Sequence, residues 1–373
     1  MHRNTTRRNG VYLATAVAAA VLLATGSSGI GSAQSVDLGS GSASGSGEQI
    51  VTSPAIGPLV DSAIRQQLTG SQPDPSFAAD DGRVRVLTCG TGSPELSEAS
   101  QACTMVAAGG RMLLFDVGEG ATRSLNSSKV DLANIDHVFL THFHSDHVNG
   151  LGSFVNQRWN WGATTPLQVV GPPGVDQVVD GLNSAYALDI GYRTADMAGL
   201  ADEVAAATAT PVPAPIPAGE SSVRVYDDGG VTVDALAVAH EPVEPAYGYV
   251  VTYRDKKVFI SGDTMVTPKT LPAMQDADLV VHEAYATHMV ERAVPIMREL
   301  GLDADVAERT GHYHADTVAL AEQAQQAGVD HLVLTHLIPY ADTAIERQLF
   351  VAGMSDRFDG EITVAQDGSL FVL

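Results

Sequence analysis

The chain has 373 residues, of which 45% are hydrophobic, so it can bury a sizeable core in one large domain or two ordinary ones. Lys and Arg number 21 against 44 Asp and Glu, which gives a formal net charge of −23. A field this acidic repels a polyanion unless a local basic patch overrides it, and no basic run follows the first eight residues. Composition therefore argues against nucleic acid as a partner.

Residues 1–33 have the order of a secretory signal peptide. A segment containing three arginines precedes an apolar run over residues 11–25, and small residues lead to Ala33. The apolar run has 15 residues, fewer than the roughly 20 that a membrane-spanning helix needs. We predict cleavage and export to the periplasm, the cell envelope or the medium, with no stable membrane anchor. The pattern leaves open the Sec and twin-arginine routes.

Residues 34–81 are predicted to form a linker that ends in a short helix. The stretch over 35–47 contains mainly Gly and Ser and is too polar to pack. An amphipathic segment, Ile56–Leu68, predicts a helix that leads into the main domain, which we place at 82–373. Within that domain we predict helices over 175–185, 196–207, 284–301 and 316–328. Residues 211–219 are rich in proline and predict a surface loop.

Short strands dominate the pattern between these helices. Some alternate apolar and polar residues and others are wholly apolar, which indicates two sheets covered by helices. The predicted strands are 83–88, 104–107, 111–115, 137–141, 167–170, 231–239, 247–253, 257–261, 279–281, 332–335 and one near 362–365.

Cys89 and Cys103 are the two cysteines of the chain. They flank the predicted loop between two neighbouring strands, so a disulfide is geometrically feasible there. In an oxidising compartment such a bond would stabilise the fold by roughly 3 kcal/mol. The alternative is a pair of buried free thiols.

The segment Thr141–His147 carries the strongest chemical signal. It reads H-x-H-x-D-H directly after a buried strand. Two histidines separated by one residue on an extended segment face the same way, so His142 and His144 can bind one ion together. Asp146 and His147 follow at the start of a helix and indicate a second ion. Imidazole and carboxylate groups at this density suit zinc or a similar transition metal.

With this motif the chain resembles the metallo-β-lactamase superfamily, and the resemblance covers nearly everything from Gly82 to Leu373. Gly90–Pro94 is similar to the opening loop of the branch that contains ribonuclease Z and certain arylsulfatases. Phe115–Gly120 is similar to the next family segment. The histidine at 240, the Ser-Gly-Asp-Thr run at 261–264 and the Leu-Thr-His run at 334–336 stand at the family's remaining ligand positions. The resemblance implies an α+β fold, a four-layer αββα sandwich.

The resemblance also implies which residues hold two zinc ions, with other divalent transition metals as alternatives. The first ion takes His142, His144, His240 and Asp263. The second takes Asp146, His147, His336 and the same Asp263, whose carboxylate bridges the pair. True β-lactamases of this fold usually have cysteine at the bridging position, so antibiotic hydrolysis is not expected.

A proton donor is implied at His314, which lies 22 residues before His336, the spacing of the proton-donating histidine in the ribonuclease Z-like branch. His312 is the competing candidate in the same loop. Residues His282 and Glu283 also resemble a family segment, and we expect them to support a ligand or the loop through hydrogen bonds.

These residues predict an exported hydrolase that cleaves an ester with a hydroxide bridging two zinc ions, oriented by Asp146 and assisted by His314. We expect a small-molecule ester substrate, either an arylsulfate, a phosphodiester or a carboxylic ester or lactone. The alternatives are a ribonuclease Z-like phosphodiesterase acting on RNA and a non-catalytic metal-binding protein. A homodimer is compatible with the sequence, which does not fix the oligomeric state.

Aromatic residues follow the metal motif closely. Phe143, Trp159 and Trp161 could border the site and favour an aryl leaving group, or they could pack the helix after the motif into the core.

Overall fold

The computed structural model describes residues 57–70, 72–94 and 97–373. The signal peptide predicted over 1–33 and the Gly/Ser-rich stretch over 35–47 lie outside them. A helix occupies Gly57–Gly70, close to the one predicted over Ile56–Leu68. The chain divides after Pro73, and the second unit, Asp74–Leu373, contains the strands and the candidate functional residues described below.

Among the described residues, fourteen strands build this second unit. They are β1 (Arg85–Gly90), β2 (Cys103–Ala108), β3 (Arg111–Phe115), β4 (Ile135–Phe139), β5 (Leu167–Gly171), β6 (Ala209–Pro213), β7 (Ser222–Asp228), β8 (Val231–Ala237), β9 (Tyr247–Tyr253), β10 (Lys256–Ile260), β11 (Leu279–Tyr285), β12 (His331–Ile338), β13 (Glu361–Val364) and β14 (Ser369–Val372).

The helices lie between the strands. With α1 as the Gly57–Gly70 helix of the first unit, they are α2 (Ala121–Ser127), α3 (Ser145–Val148), α4 (Leu151–Asn160), α5 (Val175–Asp196), α6 (Ala198–Ala201), α7 (Leu271–Met274), α8 (Thr287–Glu299), α9 (Ala304–Thr310), α10 (Thr317–Ala327) and α11 (Ala344–Phe350). Within the described part of the chain, none of the helices combines the length and apolar character that a membrane span requires.

The strands form two sheets of seven with matching topology. The first sheet has the strand order β14-β1-β2-β3-β4-β5-β6. The second has the order β7-β8-β9-β10-β11-β12-β13, where both orders start from the antiparallel side of the sheet. In each sheet the first three neighbouring pairs are antiparallel and the last three are parallel. The two sheets therefore repeat one strand pattern, with β14 from the end of the unit completing the first sheet, although no repeat is visible in the residues.

The inner faces of the sheets pack against each other through apolar and aromatic side chains. Phe115 and Phe139 stack with ring centroids 5.1 Å apart, and Tyr249 of the opposite sheet lies 5.4 Å from the first of them. Helices α2, α4 and α5 cover the outer face of the first sheet, and α7, α10 and α11 cover the second. This is the predicted four-layer αββα sandwich, so the fold prediction is confirmed.

Three local predictions differ from the structure. Residues 211–213 belong to strand β6, because proline tolerates an edge strand, where its missing N–H is not needed for pairing. Strand β11 continues to Tyr285, so the helix predicted over 284–301 begins at Thr287. The segment predicted as a helix over 196–207 contains only short helical turns after α5.

Cys89 and Cys103 are joined by a disulfide. Gly90 pairs with Cys103 across β1 and β2, so the bond ties the two strands together where they leave the sheet. Of the two alternatives that the sequence left open, the disulfide is the one that the structure contains.

Candidate metal centre

The seven predicted ligands meet at one edge of the sandwich. His142 follows β4, His240 follows β8 and Asp263 follows β10, while His336 lies within β12. Strands β8, β10 and β12 run in the same direction in the second sheet, so their carboxyl ends reach the same edge. This arrangement brings together residues that are up to 194 positions apart in the sequence.

The first group of ligand atoms consists of His142 Nε2, His144 Nδ1, His240 Nε2 and Asp263 Oδ2. His144 Nδ1 lies 2.9 Å from His142 Nε2 and 3.3 Å from His240 Nε2. Asp263 Oδ2 is 3.8 Å from His142 Nε2 and 3.8 Å from His240 Nε2. Three of these residues are buried and His144 is exposed, so the centre opens to solvent at His144.

The second group consists of Asp146 Oδ2, His147 Nε2, His336 Nε2 and the same Asp263 Oδ2. Asp146 Oδ2 lies 3.0 Å from His336 Nε2 and 3.5 Å from His147 Nε2. Asp263 Oδ2 is 3.3 Å from His147 Nε2 and 3.5 Å from His336 Nε2. One carboxylate oxygen therefore faces both groups, as a bridging ligand must.

These residues fit two transition-metal ions. Tetrahedral bonds of about 2.0–2.2 Å place neighbouring ligand atoms about 3.3–3.6 Å apart, and the separations observed range from 2.9 to 3.8 Å. His147 Nε2 is buried and has no hydrogen-bond partner among the described residues, as expected of an atom that would bind an ion. Burial lowers the pKa of His142 well below its usual value, and burial also lowers the pKa of His240. Both imidazoles are therefore neutral, which is the form that binds metal.

Two hydrogen bonds orient the histidine ligands. The Nδ1–H group of His147 lies 2.7 Å from Asp116 Oδ2, and His240 Nδ1 lies 3.0 Å from the Tyr313 carbonyl oxygen. Each bond leaves Nε2 facing the ligand group. Asp116 also accepts hydrogen bonds from the backbone and side chain of Thr141 at 2.8 Å each. Asp116 lies in the segment Phe115–Gly120 that resembles the family, but the sequence predicts no role for it.

His336 is presented to the centre by a β-bulge. Thr335 pairs with Glu283 and Leu337 pairs with Ala284, which leaves His336 as the extra residue between them. Its φ of 44° lies in the left-handed region, which is costly for a residue other than glycine. Backbone strain of this kind is typical of functional sites, where the surrounding structure imposes it.

Gly262 is predicted to be essential for the position of Asp263. Its φ is +59°, and a Cβ atom there would lie 2.5 Å from the Tyr247 carbonyl oxygen and 2.8 Å from Thr141 Cβ. Gly262→Ala should therefore destabilise the protein by about 3 kcal/mol or more, as backbone strain and overpacking add together. Urea unfolding of chelator-treated protein measures this change.

Gly219→Ala is the matched control for that substitution. Gly219 also has a positive φ, +88°, but a Cβ there would meet nothing within 4 Å. Only the backbone cost of about 1–2 kcal/mol is expected. Equal destabilisation by the two variants would show that close packing around Gly262 is unimportant.

His314 is buried beside the ligand groups. Its Nδ1 lies 3.0 Å from Glu283 Oε1, which also accepts hydrogen bonds from the backbone N–H groups of Thr264 and Ala315. The His314 ring centroid is 5.2 Å from that of His240 and 5.5 Å from that of His336. The competing residue, His312, is exposed on the surface. The geometry thus places His314, and not His312, against the metal ligands.

The pKa of His314 depends on Glu283. Burial alone would lower this pKa, but the charge of Glu283 and its hydrogen bond outweigh burial and raise the pKa to about 9. A proton donor loses activity as the pH rises through its pKa, so Glu283→Gln should move the alkaline limb of the kcat/KM profile to lower pH, toward the usual value of about 6.5. Glu291→Gln, an exposed change, is the control. An alkaline limb that stays in place would contradict the dependence on Glu283.

The aromatic residues after the metal motif have mainly structural surroundings. Trp159 is fully buried in a small cluster with Ala163 and Ala206, and Phe143 packs against the core beneath the first sheet. The interpretation as core packing therefore holds for Trp159.

Solved structures share this fold at low sequence identity. The metallo-β-lactamase fold protein YhfI from Bacillus subtilis superposes with a TM-score of 0.57 at 17% identity, covering 78% of this chain and 100% of that one. The short form of human tRNase Z gives a TM-score of 0.52 at 21% identity, covering 77% and 98%. Fold and site together define a metal-dependent hydrolase of the metallo-β-lactamase superfamily. A family model described as anti-Pycsar protein Apyc1 matches residues 84–336, and the chain belongs to that family.

Curated relatives carry the name Ribonuclease Z. The protein of that name from Mycobacterium sp. (strain KMS) is 36% identical over 262 residues, which cover 69% of this chain and 85% of the relative. The one from Mycobacterium marinum is 32% identical over 290 residues, covering 76% and 96%. The predicted membership of the superfamily, in its ribonuclease Z-like branch, is confirmed.

These relatives overturn one expectation from composition. The net charge of −23 argued against nucleic acid as a partner, but relatives at this level of identity are named as ribonucleases. The expectation was wrong because net charge sums over the whole surface, whereas a substrate meets the local potential of the site. Bound metal ions would be the largest charges there.

Proposed function

We propose that the protein is a phosphodiesterase that uses two zinc ions and acts on RNA. The observation that carries this proposal is the position of the Glu283–His314 pair beside two ligand groups that share Asp263. A phosphodiester has a poor alkoxide leaving group, so its hydrolysis benefits from a proton donor next to the ions. The relatives named Ribonuclease Z support RNA as the substrate.

Each residue has a defined task in this reaction. When bound, two such ions supply Lewis acidity, which activates water as a nucleophile and neutralises charge on the phosphoryl group. His314 donates a proton from Nε2 to the leaving oxygen, because its Nδ1 is held by Glu283. Asp146 is ionised: burial would raise its pKa, but the hydrogen bond with His336 and the nearby charges of His147 and His336 together outweigh burial and lower the pKa. The ionised Asp146 can orient the attacking water.

A panel of substrates tests this proposal. The purified protein is incubated with a labelled RNA oligonucleotide, the DNA oligonucleotide of the same sequence, bis-p-nitrophenyl phosphate and p-nitrophenyl sulfate, each with and without chelator. We expect chelator-sensitive cleavage of RNA and of the small phosphodiester, and two zinc ions per chain by metal analysis. Cleavage of the small phosphodiester without RNA cleavage would reject RNA as substrate. A fully loaded protein that turned over nothing would support a non-catalytic metal-binding role.

Export is a separate proposal that rests on residues 1–33 alone. The sequence order of charged, apolar and small residues supports a cleaved signal peptide. N-terminal sequencing of the mature protein from the native host should begin at Gln34. A mature protein that retained Met1 or the apolar run would contradict it.

A further inference from the structure

A small internal cavity borders the metal-binding residues on the side facing the interior of the sandwich. Its volume is about 30 Å³, and nearly all of its lining residues are buried. A polar cavity can hold one water molecule when the space open to the centre of a water-sized sphere is about 10–15 Å³. The space therefore accommodates one water, or at most two. The polar residues of its lining include Thr104, Asp116, Ser261, Asp263, Glu283 and His336.

Three of these residues each have one buried polar atom without a hydrogen-bond partner among the described residues. The atoms are Asp263 Oδ1, Glu283 Oε2 and His336 Nδ1. The other polar atom of each side chain is already engaged. Asp263 Oδ2 faces both ligand groups, Glu283 Oε1 accepts three hydrogen bonds, and His336 Nε2 faces Asp146. An unpartnered carboxylate oxygen in a buried setting is costly, so these atoms require a partner.

We propose that this cavity is a binding site for a structural water that joins Asp263, Glu283 and His336. The chemistry of the three atoms fits water specifically. When His336 binds an ion through Nε2, its Nδ1 carries the proton and donates a hydrogen bond, while both carboxylate oxygens accept. Water can accept one bond and donate two. A cation would be repelled by the N–H group, and an apolar ligand would leave all three atoms unsatisfied.

This water links the two parts of the site. Hydrogen bonds would run from the shared carboxylate of Asp263 through the water to Glu283, and from Glu283 to His314. The water would thereby hold the second oxygen of Asp263 and the orientation of His336, and so support the metal ligands from behind. The link to proton donation rests on the proposed function, whereas the water site itself does not.

A high-resolution crystal structure of the full chain tests the site directly. We expect a peak of density in the cavity about 2.7–3.2 Å from Asp263 Oδ1 and Glu283 Oε2. A cavity without density would overturn the proposal, and so would an anomalous signal showing a metal ion there. Failure of RNA cleavage would reject the proposed function but would leave this measurement unaffected.

Two substitutions on one strand provide a matched pair. Val281 lines the cavity, and its neighbour Val280 points to the opposite face of the sheet into the core beneath the helices. Val281→Ile should fill the cavity and weaken zinc binding by about 10-fold or more, the usual effect of losing a group that supports a metal ligand. Val280→Ile adds the same methylene elsewhere and should leave zinc affinity unchanged.

Chelator competition measures the zinc affinity of both variants, and circular dichroism checks that each is folded. Equal zinc affinities in the two variants would overturn the proposed role of the water. If Val281→Ile failed to fold, density in the crystal structure of the unmodified protein would still decide whether the site exists.

Discussion

Asp263→Ala is expected to remove metal from both ligand groups and to abolish hydrolysis. Asp263 Oδ2 is the one ligand atom common to both groups, and it lies within 3.8 Å of four histidine nitrogens. Burial alone would raise the pKa of Asp263, but the surrounding histidines outweigh burial and hold the pKa well below its usual value. Without the Asp263 carboxylate, these histidines would surround the site with no negative charge between them.

The expected loss of activity is at least about 1,000-fold, because metal ions stabilise such transition states by several kcal/mol. Metal analysis after gel filtration should show well under two ions per chain. Asp234→Ala, which breaks a solvent-accessible ion pair with Arg224, is the control and should change neither quantity appreciably. Full zinc content in Asp263→Ala would rule out the bridging role.

His314→Ala is expected to slow hydrolysis in proportion to how poor the leaving group is. In RNA cleavage the leaving group is a ribose alkoxide, which needs a proton. The kcat for RNA should therefore fall by about 10²–10⁴-fold. Bis-p-nitrophenyl phosphate releases p-nitrophenolate, which is stable without a proton, and its hydrolysis should fall far less. The two substrates therefore separate proton donation from general damage to the centre.

His312→Ala provides the control for that prediction, since His312 is an exposed imidazole in the same loop. It should retain activity toward both substrates, and zinc content should be equal in the two variants and the unmodified protein. An equal loss with both substrates in His314→Ala would show that the residue maintains the structure of the centre and does not donate the proton.

The ligands could be predicted because their signals are local. Four of them occupy residues 142–147, and the other three each directly follow or lie within a buried strand that the pattern reveals. The roles of Asp116 and Glu283 were harder to predict. Asp116 contacts His147 and Glu283 contacts His314, in each case across 31 positions of the chain. A carboxylate that supports a ligand through a hydrogen bond has no characteristic spacing in the sequence, so no motif indicates it.

Edge strands were the least predictable part of the fold. Strands β7 and β14 were missed because their residues are largely half-buried or exposed, so the apolar pattern is weak. The bulge at His336 and the cavity behind the centre depend on the register between β11 and β12 and on the packing of two sheets. Such features arise only when distant segments are brought together.

Strand β14 has a consequence for the order in which the molecule can fold. It pairs with β1, joining residues 369–372 to residues 85–88 across almost the whole unit. The first sheet therefore cannot be completed until residues 369–372 leave the ribosome, and long-range pairing of this kind slows folding. His142 and His144 are synthesised long before Asp263 and His336, so the nascent chain exposes half a metal site. Deletion of residues 369–373 should leave β1 as an open edge that is prone to pair with other chains.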